Sequence, residues 1–340
     1  MNAPRLSRRL LGGAAGAPAG VVGADAQAPR KERAAAISIL SNTLLIALKV
    51  VAGAVTGSIA ILTEAAHSAI DLIASVIAYF SVRKAEEPAD ESHPYGHQKV
   101  ENLAAAIEGM LILVGAAVIV YESVRRLAEG AEIESLGIGI AVIAFSAVAN
   151  FGVSGYLYRQ ARVTDSPALE GDAAHLRTDA MTSVGVLIGL VLVEATGLTE
   201  LDAITALIVA VAIVVAGLRI VTRSSRVLVD EALPADELDA VRDAIERHGA
   251  PEVVGFHKLR ARRAGSRRYV DLHVQFRDGT TLRRAHEISH ELQRAIRERL
   301  RGADVLIHLE PQEAADPVRA SSPQPPHRRR AARPSTRRTR

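Results

Sequence analysis

Two short stretches carry the same chemistry. His67-Ser68-Ala69-Ile70-Asp71 and His175-Leu176-Arg177-Thr178-Asp179 each place a histidine four residues before an aspartate. On an α-helix that spacing puts both side chains on one face, a turn apart. Both pairs sit inside runs of Ala, Ile, Val and Leu long enough to cross a bilayer. An ionisable group at that depth costs about 3 kcal/mol on insertion scales. Two readings follow: the pairs hydrogen-bond to neighbouring helices, or the four side chains converge. A His2Asp2 set would suit a tetrahedral divalent metal such as zinc.

The elements that must position these residues are long helices. Of the 340 residues nearly half are hydrophobic, concentrated between about Ile37 and Val221. Six spans of about 20 residues are expected. They run from about Ala34 to Val55, Ile59 to Val82, Val100 to Val124, Leu136 to Tyr158, Asp172 to Glu194 and Asp202 to Val221. The second carries His67 and Asp71, the fifth His175 and Asp179. Lys and Arg flank one side: Arg30, Lys31 and Arg33, then Arg83, Lys84 and Lys99, then Arg159 and Arg162, then Arg223 and Arg226. The other side has chiefly Arg125 and Arg126. By the positive-inside rule both termini face the cytoplasm.

The chain thus divides into a disordered basic arm (1–32), a six-span membrane domain (33–222), a linker (223–234), a soluble domain (235–311) and a disordered Pro/Arg-rich tail (312–340). In the soluble part, Asp236 caps a helix to about His248. Val253 to Arg262 and Arg268 to Phe276 form strands, Leu282 to Arg301 an amphipathic helix, and Asp304 to Leu309 a last strand. That order is an α+β layer of ferredoxin-like (metallochaperone-like) type, a split βαβ lacking its first strand. The net charge of +3 is small and the arginines crowd into the tails, so nucleic acid is not an expected partner. With no cysteine, any metal must be held by His, Asp, Glu or backbone oxygen.

Taken together, the paired helices, six spans and small α+β domain resemble the cation diffusion facilitator family, most closely its bacterial zinc and iron efflux type. Further likeness lies in Ser41-Asn42 to Lys49, Gly57-Ser58-Ile59-Ala60, the Glu64 to His67 segment, His93-Pro94-Tyr95-Gly96-His97 with Lys99 and Glu101, and Leu228 to Pro234. The likeness covers about residues 33 to 311. It implies a homodimer in the inner membrane that exports divalent cations in exchange for protons by alternating access. His67, Asp71, His175 and Asp179 would be the transport site, competed for by metal and protons. Histidine at position 67 resembles the zinc-type pattern, so zinc ranks first, then cadmium, cobalt or ferrous iron.

The resemblance also implies a loop metal site at Asp90, His93 and His97, against the plainer reading of a solvated His-Pro turn. It places His257, His273, His286, His308 and Glu310 at metal positions of the soluble domain, where zinc would be regulatory. It implies a salt bridge between Lys99 and Asp230. No organic cofactor is expected. A membrane-bound metal sensor with little flux is the alternative. Enzyme activity is not expected: a catalytic zinc keeps an open position, whereas this quartet is full.

Overall fold

The structure, a computed structural model, describes residues 28–56, 59–129, 137–198 and 200–312; some side chains beside the breaks, His67 included, lie outside the described set. Most of the expected basic arm and nearly all of the Pro/Arg-rich tail therefore also fall outside it. Six long helices come first: α1 (Ala28–Thr56), α2 (Ile59–Ala85), α3 (Lys99–Glu129), α4 (Gly137–Thr164), α5 (Pro167–Thr196) and α6 (Glu200–Leu228). Each has 27 to 31 residues, or about 40–46 Å at 1.5 Å per residue. That exceeds a bilayer core of about 30 Å, so the helices tilt or extend beyond it.

Among the described residues five helices, α1, α3, α4, α5 and α6, are long and apolar enough to cross a membrane. α1 packs along α2, α3 along α6, and α4 along α5. Leu44, Val51, Phe80, Val118, Val148, Val191 and Ile208 stay exposed on the outside of the bundle. Buried polar residues line its inside instead, among them Asn42, Asp71, Glu108, Asp172 and His175. This polarity is inverted from that of a water-soluble bundle and fits a hydrocarbon solvent.

Two boundaries differ from the sequence reading. α1 begins at Ala28 rather than near Ala34, because Lys31 is buried there against two carboxylates: Glu86 at 2.8 Å and Glu101 at 2.9 Å. α6 runs on to Leu228, so the first part of the expected linker is helical, with Arg223 paired to Glu170 of α5. α5 starts where its sequence dictates. Ser166 is its N-cap, accepting from the Leu169 N–H, and Pro167 occupies the first turn.

The second domain has the expected order: α7 (Ala235–His248), β1 (Val253–Ala264), β2 (Arg267–Phe276), α8 (Leu282–Arg299) and β3 (Ala303–Pro311). β2 is central, antiparallel to β1 and parallel to β3. Val241, Ile245, Val270, Leu272, Val274, Ile288, Leu292 and Ile296 form the core between sheet and helices. In register, His257, His273 and His308 fall opposite one another across the three strands.

The β1–β2 turn docks on the helical bundle. Gly265 donates its N–H to Asn102 Oδ1 (2.8 Å), and Lys31 Nζ reaches Ser266 Oγ (3.4 Å). Gly265 has φ +56, and a Cβ there would lie 2.7 Å from the Gln98 carbonyl oxygen, so the close approach requires glycine. Arg268 completes the joint. Its side chain, 9% exposed, pairs with Glu237 of α7 and with Asp165 before α5, each at 3.0 Å. Burial pushes the Glu237 carboxyl up, but hydrogen bonds and charge from Arg268 and Arg263 outweigh it and hold it below its ordinary value.

Truncating Arg268 to Met should therefore cost about 1.5–3 kcal/mol of stability, the range for hydrogen bonds to charged groups. A depressed carboxylate contributes stability that is complete above its unfolded pKa and is lost as pH falls through the lower folded value. Thermal melts of the whole protein in detergent from pH 7 down to 3 should show the wild type losing this increment below the ordinary glutamate range. Arg268→Met should start lower and lose less. Equal pH slopes for the two proteins would mean that the pair contributes nothing.

Candidate functional site

α2 and α5 bring their polar turns together. His175 Nε2 lies 3.2 Å from Asp71 Oδ1 and 3.9 Å from Asp179 Oδ2. Asp71 and His175 are 6% and 5% exposed, and one ligand atom from each of the three residues lies within 4.8 Å of the others. Three of the four residues singled out in the sequence thus converge between two helices. The side chain of the fourth, His67, lies outside the described residues, although its place in α2 is one turn before Asp71. Beside this cluster Lys49 of α1 donates to Ser68 of α2 at 2.7 Å.

A second polar cluster sits one turn back along α5. Asp172 accepts from Ser75 Oγ at 2.9 Å, and Ser75 is joined to Ser38 (3.0 Å) and Asn42 (2.8 Å). Glu108 of α3 is fully buried on the other side. The sequence reading noticed neither Glu108 nor Asp172, although an acid inside an apolar run was the available signal. A cavity of about 360 Å3 opens where the bundle meets the α+β domain. Asn102, Tyr158, Glu170, Gly171, Arg223 and Gly265 are among the residues around it.

The α2–α3 loop folds as a compact turn. Asp90 Oδ1 accepts from the Ser92 N–H (2.9 Å), Ser92 Oγ (2.8 Å) and the His93 N–H (2.6 Å). These bonds, the Ser92 hydroxyl first, hold the Asp90 carboxyl down at about 2. Its other oxygen lies 3.3 Å from His97 Nε2, and Asp90, His93 and His97 can present ligand atoms within 4.8 Å. His97 is buried, and neither ring nitrogen makes a hydrogen bond among the described residues. The His97 ring is thus held against the Asp90 carboxylate and the His93 ring without a hydrogen bond of its own among the described residues.

On the sheet, Glu310 lies between two histidines, bonding His257 Nε2 with one oxygen and His273 Nδ1 with the other. Burial raises the Glu310 carboxyl, but the two imidazoles outweigh it and hold it at about 2. His257, His273 and Glu310 form a third cluster within 4.8 Å. His308 stands at its edge, its Nε2 3.8 Å from Glu310 and its side chain 63% exposed. His286, expected in the same set, is not brought to it within one chain. It lies on α8, where its Nε2 is 3.1 Å from Nε2 of His290. The helical i,i+4 spacing favours that pairing over contact with the strands.

Lys99 and Asp230 do meet, at 2.7 Å, and Arg262 of β1 takes the second Asp230 oxygen at 2.8 Å. Lys99 first and then Arg262 hold the Asp230 carboxyl below its ordinary value. The residue is in the left-handed region (φ 62), fixed there by a clamp between the start of α3 and the sheet.

A bundle of apolar helices with a buried His/Asp cluster, joined to a small α+β domain bearing more His and carboxylate, defines a membrane protein that handles metal cations. Residues 35–229 match the model of the cation efflux transmembrane domain, and 233–312 that of the cation efflux protein cytoplasmic domain. The chain belongs to the cation efflux family, the cation diffusion facilitators, and is a multi-pass transporter rather than an enzyme. It is 34% identical over 279 residues to the uncharacterized transporter sll1263 of Synechocystis, covering 82% of this chain and 90% of that one. It is 35% identical over 291 residues to the cation-efflux pump FieF of Yersinia pestis, covering 84% and 95%. Among solved structures, the zinc form of CzrB is 32% identical over 24% of this chain and 93% of its own, with a TM-score of 0.24. The metal-bound C-terminal domain of CzcD from Thermotoga maritima is 26% identical over 24% and 93%, with a TM-score of 0.23.

Glu310 joins two histidines, so its loss should weaken metal binding on the sheet by at least about tenfold. Zinc added at a hundred times its dissociation constant stabilises a binding-competent protein by about 2.7 kcal/mol. Glu310→Ala should lose a clear share of the zinc-induced rise in melting temperature, while His248→Ala, on the far helix α7, should keep it. Equal zinc-induced shifts in wild type and Glu310→Ala would remove this cluster as a metal site.

Proposed function

We propose that the protein exports zinc-like divalent cations from the cytoplasm across the inner membrane in exchange for protons, as a homodimer with both termini cytoplasmic. The observation that carries this reading is the Asp71–His175–Asp179 cluster inside the bundle. A structural hydrogen bond between helices would need one acceptor and one donor. Two carboxylates and one imidazole within 4.8 Å make a donor set that a divalent cation fits and that protons can occupy in its place. His67, one turn before Asp71, would complete a tetrahedral set, and α2 would be the sixth span.

The donor types favour zinc, with cadmium, cobalt and ferrous iron next, over magnesium or calcium, which prefer all-oxygen shells. Metal needs neutral imidazole and ionised carboxylate, so each proton taken up by the cluster opposes metal. That competition converts a proton gradient into metal movement once the cluster faces each side in turn. The loop and sheet clusters lie outside this path. There Asp90, His93 and His97, and His257, His273, His308 and Glu310, would hold regulatory zinc. The chemistry zinc would supply is a fixed positive charge linking strands, loop and partner copy. His286, on α8, would then serve across the dimer rather than within one chain.

Reconstituted in vesicles holding a zinc-sensitive dye, the wild type should move zinc when a proton gradient is imposed, and collapse of the gradient should slow it. Asp179→Ala should reduce the initial rate at least about tenfold, as expected when a ligand and its charge are removed together. Wild-type flux no higher than that of Asp179→Ala under either gradient direction would defeat the transport reading and favour a sensor. Running the assay across zinc, cadmium, cobalt, ferrous iron and manganese fixes the order of preference.

A further inference from the structure

Glu108 has no assigned task in the site above, yet it is placed with care. It is 0% exposed, and neither carboxyl oxygen has a hydrogen-bond partner among the described residues. It lies flat against α5: a Cβ built on Gly171 would meet Glu108 Oε2 at 2.1 Å. Glycine at 171 lets the carboxyl rest here; a larger residue would push it aside. The next residue is Asp172, also 0% exposed, whose Oδ1 is held by Ser75 and whose Oδ2 is unpartnered.

The position matters as much as the chemistry. Gly171, against which Glu108 rests, lines the cavity at the mouth of the bundle, as does Ala105, one turn before Glu108 on α3. Asp172 precedes His175 by three residues, about 4.5 Å along the helix axis. The carboxyls therefore stand between the cavity and the Asp71–His175–Asp179 cluster. Two buried carboxyls with three unpartnered oxygens are costly while ionised, and a bound cation or a held proton removes that cost. Ser75 and Ser38 supply hydroxyl oxygens on the far side of Asp172.

We propose that Glu108 and Asp172, the latter held from behind by the Ser75 hydroxyl, form a staging site for a divalent cation between the cavity and the transport cluster. Its donors are all oxygen, so it is harder and less discriminating than the His/Asp cluster one turn deeper. It exchanges part of the ion's water for carboxylate oxygen before imidazole nitrogen is available. The direction of traffic rests on the transport reading; the existence of the site does not.

Manganous ion is the probe, because it accepts oxygen ligands and its free form is counted by electron paramagnetic resonance. Full-length protein in lipid nanodiscs is titrated with Mn2+ as wild type, Glu108→Gln, Asp172→Asn and Asp179→Ala. Wild type should bind roughly one more ion per chain than Glu108→Gln or Asp172→Asn, with Asp179→Ala retaining that ion. Glu108→Gln breaks no hydrogen bond, so its melting temperature should not fall, which excludes misfolding as the cause. In vesicles, Glu108→Gln should raise the half-saturating metal concentration about tenfold and leave the maximal rate within about twofold, the signature of lost binding ahead of the translocating step. Identical Mn2+ stoichiometry in wild type and both carboxyl variants overturns the proposal. So does a Glu108→Gln protein altered only in its pH profile, since the pair would then hold a proton and no metal. If no variant changes zinc flux but the Glu108-dependent Mn2+ persists, the transport reading fails and the site stands.

Discussion

The ammonium of Lys31, 1% exposed, is the joint on which the bundle's mouth depends. A lone buried cation would cost several kcal/mol in a low-dielectric interior. Here two carboxylates answer it, Glu86 just past α2 and Glu101 in the first turn of α3. Glu101 in turn accepts from the hydroxyl of Ser166, the residue that caps α5. One charge thus fixes the ends of four helices at the same level. It sets where α5 begins, and so the depth at which Asp172, His175 and Asp179 follow at successive turns. Charge satisfaction, more than apolar packing, registers the helices here: lipid tails are as apolar as Leu and give no hydrophobic drive between spans.

The same joint reaches the second domain. Lys31 contacts Ser266 in the β1–β2 turn, and Arg268 bonds Asp165, the residue before the α5 cap. Asp230, at the exit of α6, is clamped by Lys99 of α3 and Arg262 of β1. Sheet and bundle therefore share ionic contacts at the starts of α3 and α5 and at the end of α6. The Glu310 cluster lies on strands whose hairpin turn docks on the start of α3 and on Lys31 of α1, while Arg268, just after that turn, bonds Asp165 ahead of α5. The exposed pairs among these, such as Lys99–Asp230, contribute little energy each. Their effect is positional, since several act on one hairpin.

Much of this could be read in the chain and some could not. The i,i+4 His/Asp spacing pointed to α2 and α5 because helix geometry is local and the residues are costly where they stand. The α+β order was legible from capping and strand periodicity, and Lys99 with Asp230 came from the family likeness. Lys31 was not legible as a joint: its partners are 55 and 70 residues away, and on its own it resembled a basic arm. Glu108 gave a single acid in an apolar run, without a spaced partner to pair with. His286 was placed with the sheet histidines by resemblance, while its helical neighbour His290 is what its own backbone brings near.

Reading α5 from its start gives a graded series of donors. Glu170 faces the cavity, Asp172 is buried among hydroxyls, His175 introduces nitrogen, and Asp179 closes the cluster. A transported ion must bind well enough to enter and weakly enough to leave. A single deep His/Asp site reached directly from water would demand loss of the whole hydration shell in one step. Oxygen donors met first replace water by like ligands, at small cost for any hard or borderline cation, and select weakly. On the proposed reading, nitrogen met second would select for zinc and its neighbours, because imidazole suits them better than magnesium or calcium. Selection would then fall at the turn where protons also compete, so the groups that choose the metal would be the groups that release it.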